Sequence, residues 1–121
     1  MPRVQRITPQ VLDSYINNSS KLKKPLIIKL YSNSCHLCHS LRQTYERLSN
    51  KYLQYNFYAC NVEDEEGLEE KYGFSGVPTI LKIEPNSKKP KVLADPSEPD
   101  KFQWYPERYL EDFLSSGSYN G

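Results

Sequence analysis

Leu26-Ile27-Ile28-Lys29-Leu30-Tyr31 is six residues of almost unbroken apolar sequence, and Cys35-His36-Leu37-Cys38 begins four residues after it. A run of that kind, rich in β-formers and too short for a helix, suits a central strand buried on both faces. Leu37, Leu41, Tyr45, Leu48 and Tyr52 then recur at helical spacing, which predicts a helix from about residue 35 to residue 52. The two cysteines therefore stand where a buried strand hands over to a helix. Strand, short loop, Cys-x-x-Cys and helix is the layout of a redox-active dithiol.

The rest of the chain alternates in the same way. Val4 to Ile7 reads as a short strand. Thr8 offers a side-chain oxygen as N-cap and Pro9 fits the first helical position. Val11, Leu12, Tyr15 and Ile16 then give an amphipathic helix over 9–17. The aromatic-rich stretch 53–62 reads as a strand. Residues 65–72 read as a short acidic helix capped by Asp64 and stopped by Gly73. A strand over 79–83 is entered directly from Pro78, and Lys91-Val92-Leu93 returns from a turn at Pro85-Asn86-Ser87 as a hairpin. Residues 94–100 form a loop, 106–114 a last helix, and 116–121 a frayed tail. The order β-α-β-α-β-α-β-β-α predicts one α/β domain over 1–115, with a mixed central sheet flanked by helices on both faces.

At 121 residues the chain can bury a core without disulfide staples. Three cysteines are too few for a disulfide-rich secreted scaffold, and the odd one, Cys60, reads as a small buried hydrophobe. A net charge of +1 gives no reason to expect nucleic acid or a membrane surface, and no apolar stretch reaches membrane-spanning length. Met1-Pro2-Arg3 opens no leader pattern. A soluble, cytoplasmic monomer is the expectation, with the endoplasmic reticulum or another oxidising compartment as the alternative had a leader been removed.

The thiolate is the reactive form of cysteine, and a helix N-terminus lowers a thiol's pKa through unpaired N–H groups and the positive end of the dipole. Cys35 occupies that end and is expected to attack. Cys38 lies within the first turn and is expected to resolve the mixed disulfide. His36, when protonated, adds positive charge beside Cys35. Stabilising the thiolate favours the reduced form, and one pKa unit is worth about 30 mV for a two-electron couple. Three other readings compete. Cys35-x-x-Cys38-His39 matches a haem attachment pattern, but the preceding strand and the absence of any methionine beyond Met1 count against it. Zinc could use Cys35 and Cys38 with His36, His39 or Cys60, yet a second close pair is missing. The pair could also be an inert scaffold element. No metal and no organic cofactor is expected; the redox group is the Cys35–Cys38 disulfide itself.

Leu30 to Cys38, Lys71-Tyr72-Gly73-Phe74-Ser75-Gly76-Val77-Pro78-Thr79-Ile80 and the terminal helix together resemble the thioredoxin-like superfamily over nearly the whole chain. Leu41, Tyr45-Glu46, Leu48, Arg108, Leu110 and Phe113 are similar to the catalytic domains of protein disulfide isomerases within it. The resemblance implies a thioredoxin fold and protein dithiol–disulfide oxidoreductase activity that reduces, forms or isomerises disulfides. It implies a cis Val77–Pro78 bond beside the dithiol, with both residues holding extended substrate backbone. Its implied partners are proteins with disulfides or thiols and a redox partner such as a thioredoxin reductase or glutathione. The chain departs from the family at Ser34, where tryptophan is usual, in the His36-Leu37 dipeptide, and at Lys29, where a buried carboxylate is usual. The favoured placement carries the Lys29 ammonium to solvent along its stem; the other sets it near Cys38, where it lowers that thiol's pKa. The alternative function is a thioredoxin-fold protein-binding module with little or no turnover. Trp104 and Tyr105 are expected to pack on the core.

Overall fold

The structure, a computed structural model, describes residues 3–115. The tail expected at 116–121 lies outside the described residues. Five strands run β1 (Gln5–Ile7), β2 (Leu26–Tyr31), β3 (Asn56–Asn61), β4 (Thr79–Ile83) and β5 (Lys91–Val92). Four α-helices run α1 (Pro9–Asn17), α2 (His36–Lys51), α3 (Leu68–Tyr72) and α4 (Glu107–Ser115). The sheet order is β1-β3-β2-β4-β5. β1, β3 and β2 are mutually parallel, while β4 and β5 run antiparallel to their neighbours.

Central placement of β2 explains its composition. Leu26, Ile28 and Leu30 join Leu12 and Ile16 of α1 and Leu68 and Tyr72 of α3 in one core. Ile27, on the other face, joins Leu41, Tyr45 and Leu48 of α2 and Leu110 and Leu114 of α4 in a second. Helices thus cover both faces of a mixed sheet, and no polar face remains on β2 to give it alternation.

Two boundaries differ from the sequence reading by more than one residue. β3 begins at Asn56 and not at residue 53. The preceding residues turn back, Tyr55 N–H donating to the Tyr52 carbonyl at 3.3 Å, and leave Leu53 exposed. α3 begins at Leu68 and is not capped by Asp64. Val62–Asp64 is a 3₁₀ turn, and Gly67 has φ +84°, a left-handed backbone that cannot continue a helix and that glycine adopts freely. Gly73 ends α3 at φ +79°.

Candidate functional site

Cys35 is the N-cap of α2, and its Sγ accepts the Cys38 N–H at 3.1 Å. The sulfurs of Cys35 and Cys38 lie 2.25 Å apart, at disulfide distance, with Cα atoms 5.2 Å apart. Cys35 is half-buried, and Cys38 is 2% exposed. The more accessible residue of the pair is therefore the one at the helix end.

The loop that delivers Cys35 is fixed by residues the sequence reading passed over. Glu63 accepts the backbone N–H of Asn33 at 2.8 Å and its side-chain amide at 3.4 Å. Asn61 donates to Asn33 Oδ1 at 3.1 Å, and His39 Nε2 lies 3.0 Å from the Asn33 carbonyl. Glu63 opens the acidic run Glu63-Asp64-Glu65-Glu66, a composition that by itself points to solvent. Its offset just beyond β3, the strand beside β2, was the available signal.

Across from Cys35 lies the loop before β4. The Val77–Pro78 peptide bond is cis, and the Val77 carbonyl oxygen is 3.7 Å from Cys35 Sγ. Gly76, with φ +77°, donates its N–H to Glu69 of α3 at 2.8 Å, and the Thr79 hydroxyl donates to the Gly76 carbonyl at 2.7 Å. Val77 is half-buried and Pro78 buried. Trp104 and Asp95 share a groove with Leu37, Ser75, Val77 and Pro78. Trp104 packs partly on the core as expected, but it also walls this groove, while Tyr105 is fully buried.

His36 is exposed in the first turn of α2, and among the described residues it makes no hydrogen bond or ion pair. Lys29 corrects the expectation of a solvent-seeking side chain. It is 6% exposed, and its Nζ sits over the rings of Tyr31 and Tyr45, 5.7 and 5.2 Å from their centroids. It walls a cavity of about 190 Å³ together with Cys38, His39, Arg42, Glu46 and Arg6. The stem is covered because α2 lies across this face of β2, so the ammonium ends at this cavity and not on the outer surface. Burial, then repulsion from Arg42, with Arg6 adding to it against the opposing pull of Glu46, lowers its pKa to about 8.

Cys60 is fully buried in the α1/α3 core, across the sheet from α2, so it cannot join Cys35 and Cys38 on one metal. Burial, with Asp64 and Glu65 adding to it, pushes its thiol up to about 11. Among the described residues no group of three or more His, Cys, Asp or Glu side chains is placed to hold a metal ion, and no described helix is long and apolar enough to cross a membrane.

Comparison with known proteins places this geometry. No curated protein sequence matches the chain. Among solved structures, thioredoxin NaTrxh from Nicotiana alata superposes with a TM-score of 0.75 at 17% identity, covering 95% of this chain and 92% of that one. The J-Trx1 fragment of ERdj5 superposes at 0.70 and 16% identity, covering 98% of this chain and 51% of that one. At such identities the likeness is one of fold. The profile of the family described as Thioredoxin matches residues 3–105. With that match, and a close cysteine pair opening α2, the chain belongs to the thioredoxin family.

Proposed function

We propose that this chain exchanges disulfides with protein substrates through Cys35 and Cys38. The observation that carries the reading is the half-buried Cys35 sulfur at the N-cap of α2, receiving the Cys38 N–H and facing the Val77 carbonyl. In the reduced protein that amide and the helix end favour a Cys35 thiolate. The thiolate attacks one sulfur of a substrate disulfide; the substrate S–S bond breaks and its other sulfur leaves as thiolate. Cys38 then gives up its proton and attacks Cys35 Sγ in the mixed disulfide. The second substrate sulfur leaves, the Cys35–Cys38 bond forms, and two electrons have passed to the substrate. The reverse sequence forms disulfides. Proteins carrying disulfides or thiols are the substrates of this proposal, and a thioredoxin reductase or glutathione is the class of partner that resets the pair.

In the same reading Val77 and Pro78 hold an extended substrate segment beside the dithiol. Lys29, as an ammonium near Cys38, lowers the resolving thiol's pKa by opposite charge; Lys29→Met then raises the titration midpoint of Cys38. His36, when protonated, stabilises the Cys35 thiolate, so His36→Ala makes the protein a stronger reductant, by about 30 mV for each unit the Cys35 pKa rises.

Reduction of insulin with dithiothreitol tests the proposal. The wild type accelerates it, Cys35→Ser abolishes the acceleration, and Cys38→Ser accumulates mixed disulfides that wild type does not. A wild type without activity that still retains a protein partner overturns the proposal and favours a thioredoxin-fold binding module.

A further inference from the structure

Two lysines are buried on the α2/α4 face of the sheet, and they are served differently. Lys82 of β4 lies 5.2 and 4.6 Å from the ring centroids of Tyr55 and Phe113, and its Nζ donates to the Phe113 carbonyl at 3.3 Å. That carbonyl is in the last turn of α4, the negative end of the helix. Lys29 of β2 has the same aromatic setting, over Tyr31 and Tyr45, but among the described residues its ammonium has no hydrogen bond and no ion pair. The residue as a whole is 6% exposed, and it lines a cavity of about 190 Å³. A largely desolvated cation without a protein acceptor is disfavoured.

The charge around that cavity is one-sided. Arg6 stands on the β1 wall, Arg42 and His39 on the α2 wall, and Ala59 of β3 brings no charge. Glu46 is the one carboxylate, and its Oε2 is already taken by Arg42 at 3.3 Å. Arg6 makes no ion pair among the described residues. Three cations thus meet one engaged anion, and the repulsion from Arg42 and Arg6 adds to burial in disfavouring the Lys29 proton. The space far exceeds the roughly 10–15 Å³ that a single water needs.

We infer that the cavity behind Cys38 is a binding site for a small doubly charged oxyanion, held by Lys29 at its base and Arg6 at its wall. Such an ion supplies the acceptor oxygens that Lys29 lacks and offsets the surplus positive charge. This site does not depend on the exchange reaction, and its failure leaves that reading standing.

Sulfate is the probe, since its charge is fixed across the useful pH range. The folded protein is titrated with sodium sulfate against sodium chloride of equal ionic strength and followed by amide chemical shifts. The expected result is saturable binding, with shifts at Lys29, Tyr31, Cys38, His39 and Ala59. Lys29→Met weakens it about tenfold and Arg6→Gln about threefold, the scale of lost charged hydrogen bonds. Affinity falls between pH 6.5 and pH 9.5 as Lys29 gives up its proton, with Arg6 and Arg42 remaining charged. His39, Tyr31, Tyr45, Glu46 and, in the reduced protein, Cys38 are the other titratable groups facing the ammonium. Non-saturable shifts, or equal affinity in Lys29→Met and wild type, overturn the inference. If Lys29→Met does not fold, the test is the Lys29 side-chain ¹⁵N resonance: sulfate must raise its titration midpoint, and an unmoved midpoint is equally fatal.

Discussion

Lys29 is where a single residue reshapes the energetics of the site. Its pKa is lowered from 10.5 to about 8, by burial first and by Arg42 and Arg6 after it. Between those two pH values the unfolded chain binds the proton and the folded chain does not, so this residue's contribution to stability rises with pH through that window. Below it the folded protein carries a charge that partial desolvation and the neighbouring arginines disfavour. Lys29→Met should therefore be more stable than wild type at pH 7, by on the order of 2 kcal/mol, and the advantage should shrink toward zero as pH approaches 10.5. Urea unfolding of both proteins across pH 7–10.5 checks this; a pH-independent gap would show the ammonium to be hydrated. Cys60 gives a complementary outcome. With its thiol pushed up to about 11 and its side chain fully buried, brief iodoacetamide treatment of the reduced native protein at pH 8 should label Cys35 and leave Cys60 unmodified. Sequence identified Lys29 as the odd member of an apolar strand. It could not give the fate of the ammonium, because that depends on where α2 crosses β2, a contact between segments far apart in the chain.

At the scale of elements, α2 positions both cysteines, and two devices position α2. The first is its cap. Cys35 Sγ takes the place of a cap oxygen at the Cys38 N–H, so Cys35→Ser should keep the helix end while Cys35→Ala leaves a donor unmet. Thermal unfolding of the two reduced variants should differ by about 1 kcal/mol in favour of serine. The second is Tyr45, fully enclosed beneath the helix. Its hydroxyl lies 2.7 Å from the Tyr58 carbonyl oxygen and 3.0 Å from that of Ile27, sharing one proton between β3 and β2. Tyr45→Phe should cost about 1–2 kcal/mol of stability in denaturant, with the dithiol still intact by thiol titration. Helix α2 was legible from residue spacing, since five apolar residues at helical intervals leave little choice of face. α3 was not read correctly. Its acidic start looked like a capped helix, and the left-handed backbone at Gly67 is a choice that a glycine permits but its presence does not dictate.

For the molecule as a whole, the groove beside Pro78 is assembled from parts that sequence keeps apart. Leu37 comes from the start of α2, Ser75 to Pro78 from the loop before β4, and Asp95 and Trp104 from the segment between β5 and α4. That segment is stitched onto itself. Asp100 and Trp104 exchange backbone hydrogen bonds at 2.8 and 3.0 Å, Asp100 Oδ1 accepts the Phe102 N–H at 2.7 Å, and the Trp104 indole donates to Asp95 at 3.3 Å. Trp104 takes φ +71° to do so, a conformation that costs a bulky side chain on the order of 1–2 kcal/mol and that the stitching sustains. The family's usual tryptophan is absent at Ser34, yet an indole reaches the proposed substrate groove by another route. Prolines and acids made this stretch read as a loop, correctly, but nothing local shows where a loop's tip will lie. A rigid aromatic wall matters for a long substrate and little for a small one. Trp104→Ala should therefore raise the KM for insulin about tenfold, the scale of a lost aromatic anchor, while the rate with 5,5′-dithiobis(2-nitrobenzoate) stays within about twofold. Because Trp104 is the sole tryptophan, its fluorescence in wild type should also shift when an extended cysteine-containing peptide binds. Equal loss with both disulfides would instead place the effect of Trp104 in the dithiol or the fold, and remove it from substrate recognition.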